Sequence, residues 1–172
     1  MKPNPNPETL AEMLRVDHAG EYGANRIYEG QLLVLGKKAV APTLRHMLEQ
    51  EQQHLKKFDE LLVEHKVRPS ALLPFWHIAG LALGAGSALL GEKAAMACTV
   101  AVEEAIDEHY AEQEAQIEDP ELKATVAKFR AEELEHRDIG LENKAEQMVG
   151  YEFFKTAIKL GAKLSIAIAK KI

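Results

Sequence analysis

The chain is 172 residues long, carries a net charge of −6 and contains one cysteine, Cys98. This length suits one domain with a single core, and a lone cysteine excludes an intramolecular disulfide framework and a thiolate-based zinc or iron–sulfur site. The acidic balance, without a basic stripe outside the C-terminus, argues against nucleic-acid binding. Long runs rich in Ala, Leu, Glu, Lys and Gln predict an all-α protein.

A short lead precedes the first predicted helix. Residues 1–7, in which prolines alternate with asparagines, predict a disordered lead, and helix 1 is predicted over residues 8–35. Glycines weaken a helix, and this helix carries three: Gly20, Gly23 and Gly30. We expect them to allow a neighbouring helix or a substrate to approach around Glu21; a local kink is the alternative.

Helix 2 is predicted over residues 42–65 from an apolar stripe at helical spacing. Glu51 falls within this stripe, three residues after Leu48 and four before Leu55, so the pattern places a carboxylate on the buried face. A buried carboxylate needs a partner, and a metal ion is one such partner.

The segment 69–91 contains no charged side chain if His77 is neutral, and it has the length of a membrane span. A transmembrane helix is not expected, because Pro74 lies inside it and its Gly and Ala residues lower its apolarity. We expect instead a helix 3 that continues through Tyr110 within a soluble bundle. Its apolar first half would dip into one leaflet or face a hydrophobic partner; a core helix without membrane contact is the alternative.

The last two predicted helices have clear sequence signals. Asp119 followed by Pro120 predicts the N-cap of helix 4, which should end near Met148, before Gly150. Residues 151–172 predict a basic amphipathic helix suited to an anionic membrane surface, and a fifth helix packed on the bundle is the alternative. Its lysines fall on one side of a helical wheel: Lys155, Lys159, Lys163 and Lys170.

Six residues of these helices form three identical pairs, and the two members of each pair are 82 residues apart in the chain. They are Glu21, Glu51 and His54, repeated as Glu103, Glu133 and His136. Each Glu-x-x-His pair lies on one helix face, and each lone glutamate stands 30 residues before its pair, level with it across an antiparallel hairpin. Two such hairpins predict a dinuclear metal site.

The composition of these six residues indicates the metal. Four carboxylates and two neutral imidazoles balance two divalent ions, and hard oxygen donors with one nitrogen per metal suit iron or manganese. A single Glu-x-x-His pair in an acidic helix is usually a solvated face. The repeat distinguishes these six from nearby acidic residues such as Glu104, Glu108, Glu132, Glu135 and Asp138.

Several long motifs resemble a known family. They are DHAGEYGANRIY at 17–28, HLKKF at 54–58, GAG at 84–86, ACTVAVEE at 97–104 and EELEH at 132–136. They resemble the demethoxyubiquinone hydroxylase family of ubiquinone biosynthesis, over about residues 16–141. The resemblance implies a ferritin-like four-helix bundle, here with an internal two-fold repeat of helical hairpins over residues 8–150, followed by the C-terminal amphipathic helix.

The resemblance also implies a chemistry. It implies two iron ions held by the six residues, dioxygen as co-substrate, and hydroxylation of the ring of a membrane-held demethoxyquinone. His109 and Tyr110 resemble a family pair beside the metals, with a role in hydrogen bonding or in electron and proton delivery; ordinary packing is the alternative. NADH, if it is the electron donor, must act without a Gly-rich nucleotide-binding fingerprint.

The expected partners are a membrane quinone, the membrane surface and other proteins of ubiquinone biosynthesis. No signal or transit peptide is recognisable, so the expected location is peripheral, at the cytoplasmic face of a bacterial inner membrane. The matrix side of the mitochondrial inner membrane, for a mature chain, is the alternative. A ferritin-like iron oxidase, iron-storage or peroxide-reducing protein would use the same ligands and is the competing function.

Overall fold

The computed structural model describes residues 7–171, with side chains from residue 9, and within this range it is all-helical. The six α-helices are α1 Pro7–Leu35, α2 Ala41–Glu64, α3 Leu73–Leu89, α4 Glu92–Glu114, α5 Pro120–Glu142 and α6 Tyr151–Ala169, with a 3-10 helix at Ala145–Gln147. The predicted all-α bundle is confirmed. Residues 1–6 of the predicted lead lie outside the described residues, and Pro7 begins α1.

Helices α1, α2, α4 and α5 form a four-helix bundle. The first hairpin consists of α1 and α2 and the second of α4 and α5, and five residues connect the helices of each. A long crossover between the hairpins, residues 65–91, contains α3. This is a connection found in ferritin-like bundles. None of the helices within residues 7–171 is long and apolar enough to cross a membrane.

Helices α3 and α4 are separate, which corrects the prediction of one helix continuing through Tyr110. The chain leaves α3 after Leu89, and Gly91 has a φ of 112°, a conformation that residues with a Cβ rarely adopt. α4 then begins at Glu92. The break leaves α4 in the bundle and turns the apolar α3 back along the outside of α1.

Close backbone packing joins α3 to α1. A Cβ atom at Gly84 would collide with the backbone of Ile27, and one at Gly30 would collide with the backbone of Leu81. The expectation that helix 1 uses glycine to admit a neighbour therefore holds for Gly30. The space beside Gly20 and Gly23 is open, and both line a groove described below.

The second hairpin begins as predicted and ends early. Asp119 Oδ1 accepts a hydrogen bond from the Leu122 N–H at 2.8 Å, which confirms the N-cap. α5 ends at Glu142 rather than near Met148, because Lys144 adopts a left-handed conformation with a φ of 67° and starts the 3-10 helix.

Helix α6 packs on α4, and three of its lysines pair with glutamates of α4, whereas the sequence pattern predicts a basic side that faces an anionic membrane surface. Lys159 Nζ lies 2.7 Å from Glu104 and 2.8 Å from Glu108. Lys163 Nζ lies 2.5 Å from Glu108, and Lys155 Nζ lies 3.8 Å from Glu104. Three of the four lysines therefore face the bundle. The exposed side of α6 carries apolar side chains instead: Phe153, Leu160 and Leu164.

Candidate metal centre

The six residues singled out by the repeat meet in the middle of the bundle. α1 contributes Glu21, α2 contributes Glu51 and His54, α4 contributes Glu103, and α5 contributes Glu133 and His136. Each is at most 1% exposed. Their equal distance from the turns of the two hairpins brings them to one level, as the 30-residue spacing predicts.

Their ligand atoms form two groups, and within each group all atoms lie within 4.8 Å of one another. The first group is Glu21, Glu51, His54 and Glu133, and the second is Glu51, Glu103, Glu133 and His136. Glu51 and Glu133 belong to both groups, so each could give one carboxylate oxygen to each. These residues could therefore hold two neighbouring cations that share Glu51 and Glu133.

Eight atoms of these side chains have no hydrogen-bond partner among the described residues. They are Glu21 Oε2, both Glu51 oxygens, His54 Nδ1, Glu103 Oε2, both Glu133 oxygens and His136 Nδ1. They crowd together, with His54 Nδ1 3.1 Å from Glu133 Oε1 and His136 Nδ1 3.1 Å from Glu51 Oε1. Buried polar atoms without partners are costly, and a cation in each group would satisfy them. The residues therefore fit two divalent cations.

Burial and mutual repulsion perturb the acid–base behaviour of this cluster. Burial, followed by the charge of Glu133, raises the pKa of both Glu51 and Glu103 well above the usual range. Burial alone would lower the pKa of His54, but the carboxylates of Glu133 and Glu21 outweigh it and raise the pKa to about 12. The metal-free cluster therefore retains protons that bound cations would displace.

A tyrosine from the opposite hairpin holds each lone glutamate. Tyr28 donates to Glu103 Oε1 at 2.6 Å, and Tyr110 donates to Glu21 Oε1. Burial and the neighbouring carboxylates raise the pKa of both tyrosines, so both remain donors. Tyr28 is absent from the predicted site, although the separation that carries Glu21 onto Glu103 also carries Tyr28 onto Tyr110.

The outer nitrogen of each imidazole also bonds across the hairpins. His54 Nε2 lies 2.8 Å from Glu132 Oε2, and His136 Nε2 lies 3.0 Å from Gln50 Oε1. Such bonds fix the imidazole ring and direct its other nitrogen to a metal. Gln50 is also absent from the predicted site, and the sequence prediction counts Glu132 among the acidic residues that are not ligands. The 82-residue repeat would have paired the two.

His109 belongs to a separate polar network. His109 Nε2 lies 3.1 Å from Asp17 Oδ1, and Gln113 Nε2 donates to the same oxygen at 2.7 Å. Burial raises the pKa of Asp17, although His109 and Gln113 lower it in part. The structure thus divides the predicted pair, because Tyr110 contacts Glu21 while His109 contacts Asp17.

An apolar groove of about 540 Å³ runs between α1, α3, α4 and α6. Gly20 and Val102, which line it, directly precede the two lone glutamates in the chain, so the groove lies alongside the centre. Phe75 of α3 and Phe153 of α6 also line it and are 58% and 83% exposed. The apolar lining therefore continues onto the outer surface.

A bundle of two helical hairpins that buries two linked groups of glutamate and histidine defines a ferritin-like carboxylate protein with a site that could hold metal. The family model described as ubiquinone biosynthesis protein COQ7 matches residues 8–169, and the chain belongs to this family. This finding confirms the family resemblance seen in the sequence motifs.

Relatives match over nearly the whole chain. A 3-demethoxyubiquinol 3-hydroxylase of Rhodospirillum rubrum is 55% identical, over 98% of this chain and 82% of its own length. The human mitochondrial protein named NADPH-dependent 3-demethoxyubiquinone 3-hydroxylase is 52% identical, over 93% and 76%. A mitochondrial 5-demethoxyubiquinone hydroxylase of Saccharomyces cerevisiae is 36% identical, over 95% and 78%. The similarity therefore includes both hairpins rather than one motif.

Proposed function

We propose that this chain is a demethoxyubiquinone hydroxylase of ubiquinone biosynthesis, a monooxygenase whose centre holds two iron ions. The observation that carries the proposal is the pair of buried ligand groups that share Glu51 and Glu133 beside an apolar groove. The names of the relatives support the substrate and the reaction. One oxygen atom of dioxygen enters the ring, and the other becomes water with two electrons and two protons.

Each group of residues has a role in this reaction. Bound iron would supply the reduction of dioxygen, and the four carboxylates would balance the charge of two divalent ions. Glu51 and Glu133, which belong to both ligand groups, would help to hold both ions, while Tyr28 and Tyr110 keep the two lone glutamates oriented. Asp17, whose buried carboxyl holds its proton to higher pH than usual, contacts His109 and directly follows the groove-lining Val16 in the chain.

The groove and its surroundings suit a quinone ring with a long isoprenoid tail. In this proposal the ring enters the groove while the tail stays in the lipid, against exposed apolar residues of α3 and α6: Phe75, Ile78, Phe153, Leu160 and Leu164. Because three lysines of α6 are paired with α4, apolar contact rather than the basic row holds the protein at the membrane surface.

The electron donor and the location complete the proposal. Reduced nicotinamide supplies the two electrons; the family resemblance offers NADH as a candidate donor, and the name of the human relative specifies NADPH. We place the protein peripherally at the cytoplasmic face of a bacterial inner membrane, and the mitochondrial names of several relatives make the matrix face the alternative. Other proteins of ubiquinone biosynthesis are proposed partners.

The test is iron analysis of anaerobically purified protein, followed by mass spectrometry after reaction with a short-tailed demethoxyquinone, NADH or NADPH, and ¹⁸O₂. Two iron ions per chain and a product carrying one ¹⁸O are expected. Two iron ions without product, but with rapid iron oxidation or peroxide loss, would support the iron-storage or peroxide-reducing alternative.

Ligand variants test the centre itself. Glu103→Gln and His136→Gln should lose iron and turnover while keeping most of their helix content by circular dichroism. Glu112→Gln, which changes an exposed carboxylate on the same helix as Glu103, should keep its iron and its turnover. Hydroxylation at the parent rate by either ligand variant would show that the ligand assignment is wrong.

A further inference from the structure

The hydrogen-bond acceptors of the two histidine Nε2 atoms differ in charge, although they stand at equivalent positions of the 82-residue repeat. Gln50 and Glu132 stand 82 residues apart, each directly before a glutamate shared by the two ligand groups. Glu132 Oε2 accepts from His54 Nε2 at 2.8 Å, and Gln50 Oε1 accepts from His136 Nε2 at 3.0 Å. One imidazole therefore has a carboxylate behind it and the other has a neutral amide.

Glu132 lies between the protein surface and the buried imidazole of His54. Its side chain is 23% exposed, so one end reaches solvent, and Lys128 Nζ lies 3.6 Å from its Oε1. Its other oxygen, Oε2, meets His54, whose side chain is 1% exposed. The carboxylate thus links the protein surface to the buried imidazole through one hydrogen bond.

The remaining ligands of the two groups are matched. Each group contains the two shared glutamates, one histidine through Nδ1, and one lone glutamate held by a tyrosine of the opposite hairpin. To a first approximation these ligands therefore contribute equally to the metal affinity of the two groups. Among the groups that bond directly to these ligands, the difference in charge lies in the acceptor of the imidazole Nε2.

A carboxylate acceptor strengthens the imidazole as a metal ligand more than an amide does. The charge-assisted hydrogen bond draws the Nε2 proton more strongly, which raises the basicity of Nδ1. The negative charge of Glu132 also favours a cation on the far side of the His54 ring. Both effects act on the His54 position and have no counterpart of equal strength at His136.

We propose that Glu132 is a positioning residue that makes the two metal positions unequal, so that the position beside His54 binds a divalent cation more tightly and fills first. The position beside His136, backed by Gln50, fills second. This inference rests on the proposed metal centre, and it adds an order of loading that the ligand set alone does not provide.

The test is a titration of metal-free protein with Co²⁺, followed by proton NMR of the exchangeable ring N–H protons, which a bound paramagnetic ion shifts strongly. Calorimetry of the same titration gives the two affinities. Glu132→Gln should move the His54 N–H signal and Gln50→Glu the His136 signal, which assigns each resonance. In the parent protein the His54 signal should shift first, and the His136 signal should follow after one equivalent.

Three variants should change the relative affinities of the two metal positions. Glu132→Gln should weaken the first binding step by about 10- to 100-fold. The His54 and His136 N–H signals should then shift over the same range of added Co²⁺. The exchange Gln50→Glu with Glu132→Gln should reverse the order. Gln50→Glu alone should tighten the second step towards the first, which gives an independent test if Glu132→Gln does not fold. Glu135→Gln, an exposed carboxylate of the same helix, should behave as the parent.

Simultaneous appearance of both signals in the parent protein would overturn the inference and leave the metal centre in place. So would a Glu132→Gln protein with an unchanged order and a first affinity within about twofold of the parent. Failure of the parent protein to bind cobalt at all would overturn the metal centre itself, and with it the order of loading.

Discussion

Tyr28 and Tyr110 stand at equivalent positions of the repeat, and each donates a hydrogen bond to the lone glutamate of the opposite hairpin. Both tyrosines are 1% exposed, and both acceptors are buried carboxylates. The bonds therefore hold the two hairpins together at the level of the centre. They also orient the glutamates that complete the two ligand groups.

Replacing either tyrosine by phenylalanine should lower the free energy of unfolding of the metal-free protein by about 1–3 kcal/mol, because a buried carboxylate oxygen loses its donor. The two variants should behave alike, since their positions are equivalent. Urea unfolding followed by circular dichroism measures the change. Tyr151→Phe, on α6, is the control and should change the value by less than about 0.5 kcal/mol. Equal values for all three variants would contradict the prediction.

Asp17 should make stability depend on pH. Burial raises its pKa above 3.8, although His109, Gln113 and Lys170 lower it in part. A carboxyl that binds its proton more tightly in the folded chain contributes stability below its unfolded pKa and loses that contribution as pH rises through the folded pKa. Asp17→Asn cannot titrate. Its free energy of unfolding relative to the parent should therefore increase as pH rises above about 4.

Urea unfolding of both proteins between about pH 4 and about pH 8 tests the Asp17 prediction. Asp138→Asn is the control, because Asp138 has a side chain 57% exposed and pairs with Arg137 at the surface. Its difference from the parent should stay nearly constant over the same range. A constant difference for Asp17→Asn would show that this carboxyl has the same pKa in the folded and unfolded chain.

Glycines of α3 allow a sharp comparison within one helix. Gly84→Ala should destabilise the protein by about 3 kcal/mol, because the new methyl group meets the backbone of Ile27 and neither helix can move without the other. Gly86→Ala meets no atom within 4 Å and should stabilise α3 by up to about 1 kcal/mol. Thermal or urea unfolding measures both changes. A Gly84→Ala protein as stable as Gly86→Ala would contradict the close packing of α3 on α1.

The exposed side of α6 should determine vesicle binding. Leu160→Glu and Leu164→Glu should each weaken binding to neutral phosphatidylcholine vesicles about tenfold or more, because each leucine is 62% exposed and would be buried in lipid. Val63→Glu, at an 80% exposed residue of α2, is the control and should bind as the parent. Flotation measures the bound fraction.

The lipid composition separates apolar attachment from attachment through the basic row. Because Lys155, Lys159 and Lys163 are paired with α4, adding anionic lipid should change the binding of the parent protein little. Strong dependence on anionic lipid, without an effect of Leu160→Glu or Leu164→Glu, would show that the lysines bind the membrane.

The sequence predicted the features that depend on spacing. The hairpins, the N-cap at Asp119 and the meeting of the six Glu and His residues follow from helix geometry and from the repeat. The break at Gly91 could not be read from composition, since glycine occurs both within and between these helices. The partners of Lys159 depend on how α6 docks on α4, which a helical wheel of α6 alone does not contain.

The cross-hairpin bonds mean that neither hairpin completes its own half of the centre. Tyr28 donates to Glu103 and Tyr110 donates to Glu21, each across the two hairpins. The Nε2 atoms of His54 and His136 likewise bond to acceptors on the opposite hairpin. When each half makes the same contacts to the other, the interface is isologous, as in a two-fold symmetric dimer. The bundle is thus organised as a dimer whose two subunits are joined in one polypeptide by residues 65–91. Because a single polypeptide encodes both halves, equivalent positions can carry different residues, as Gln50 and Glu132 do.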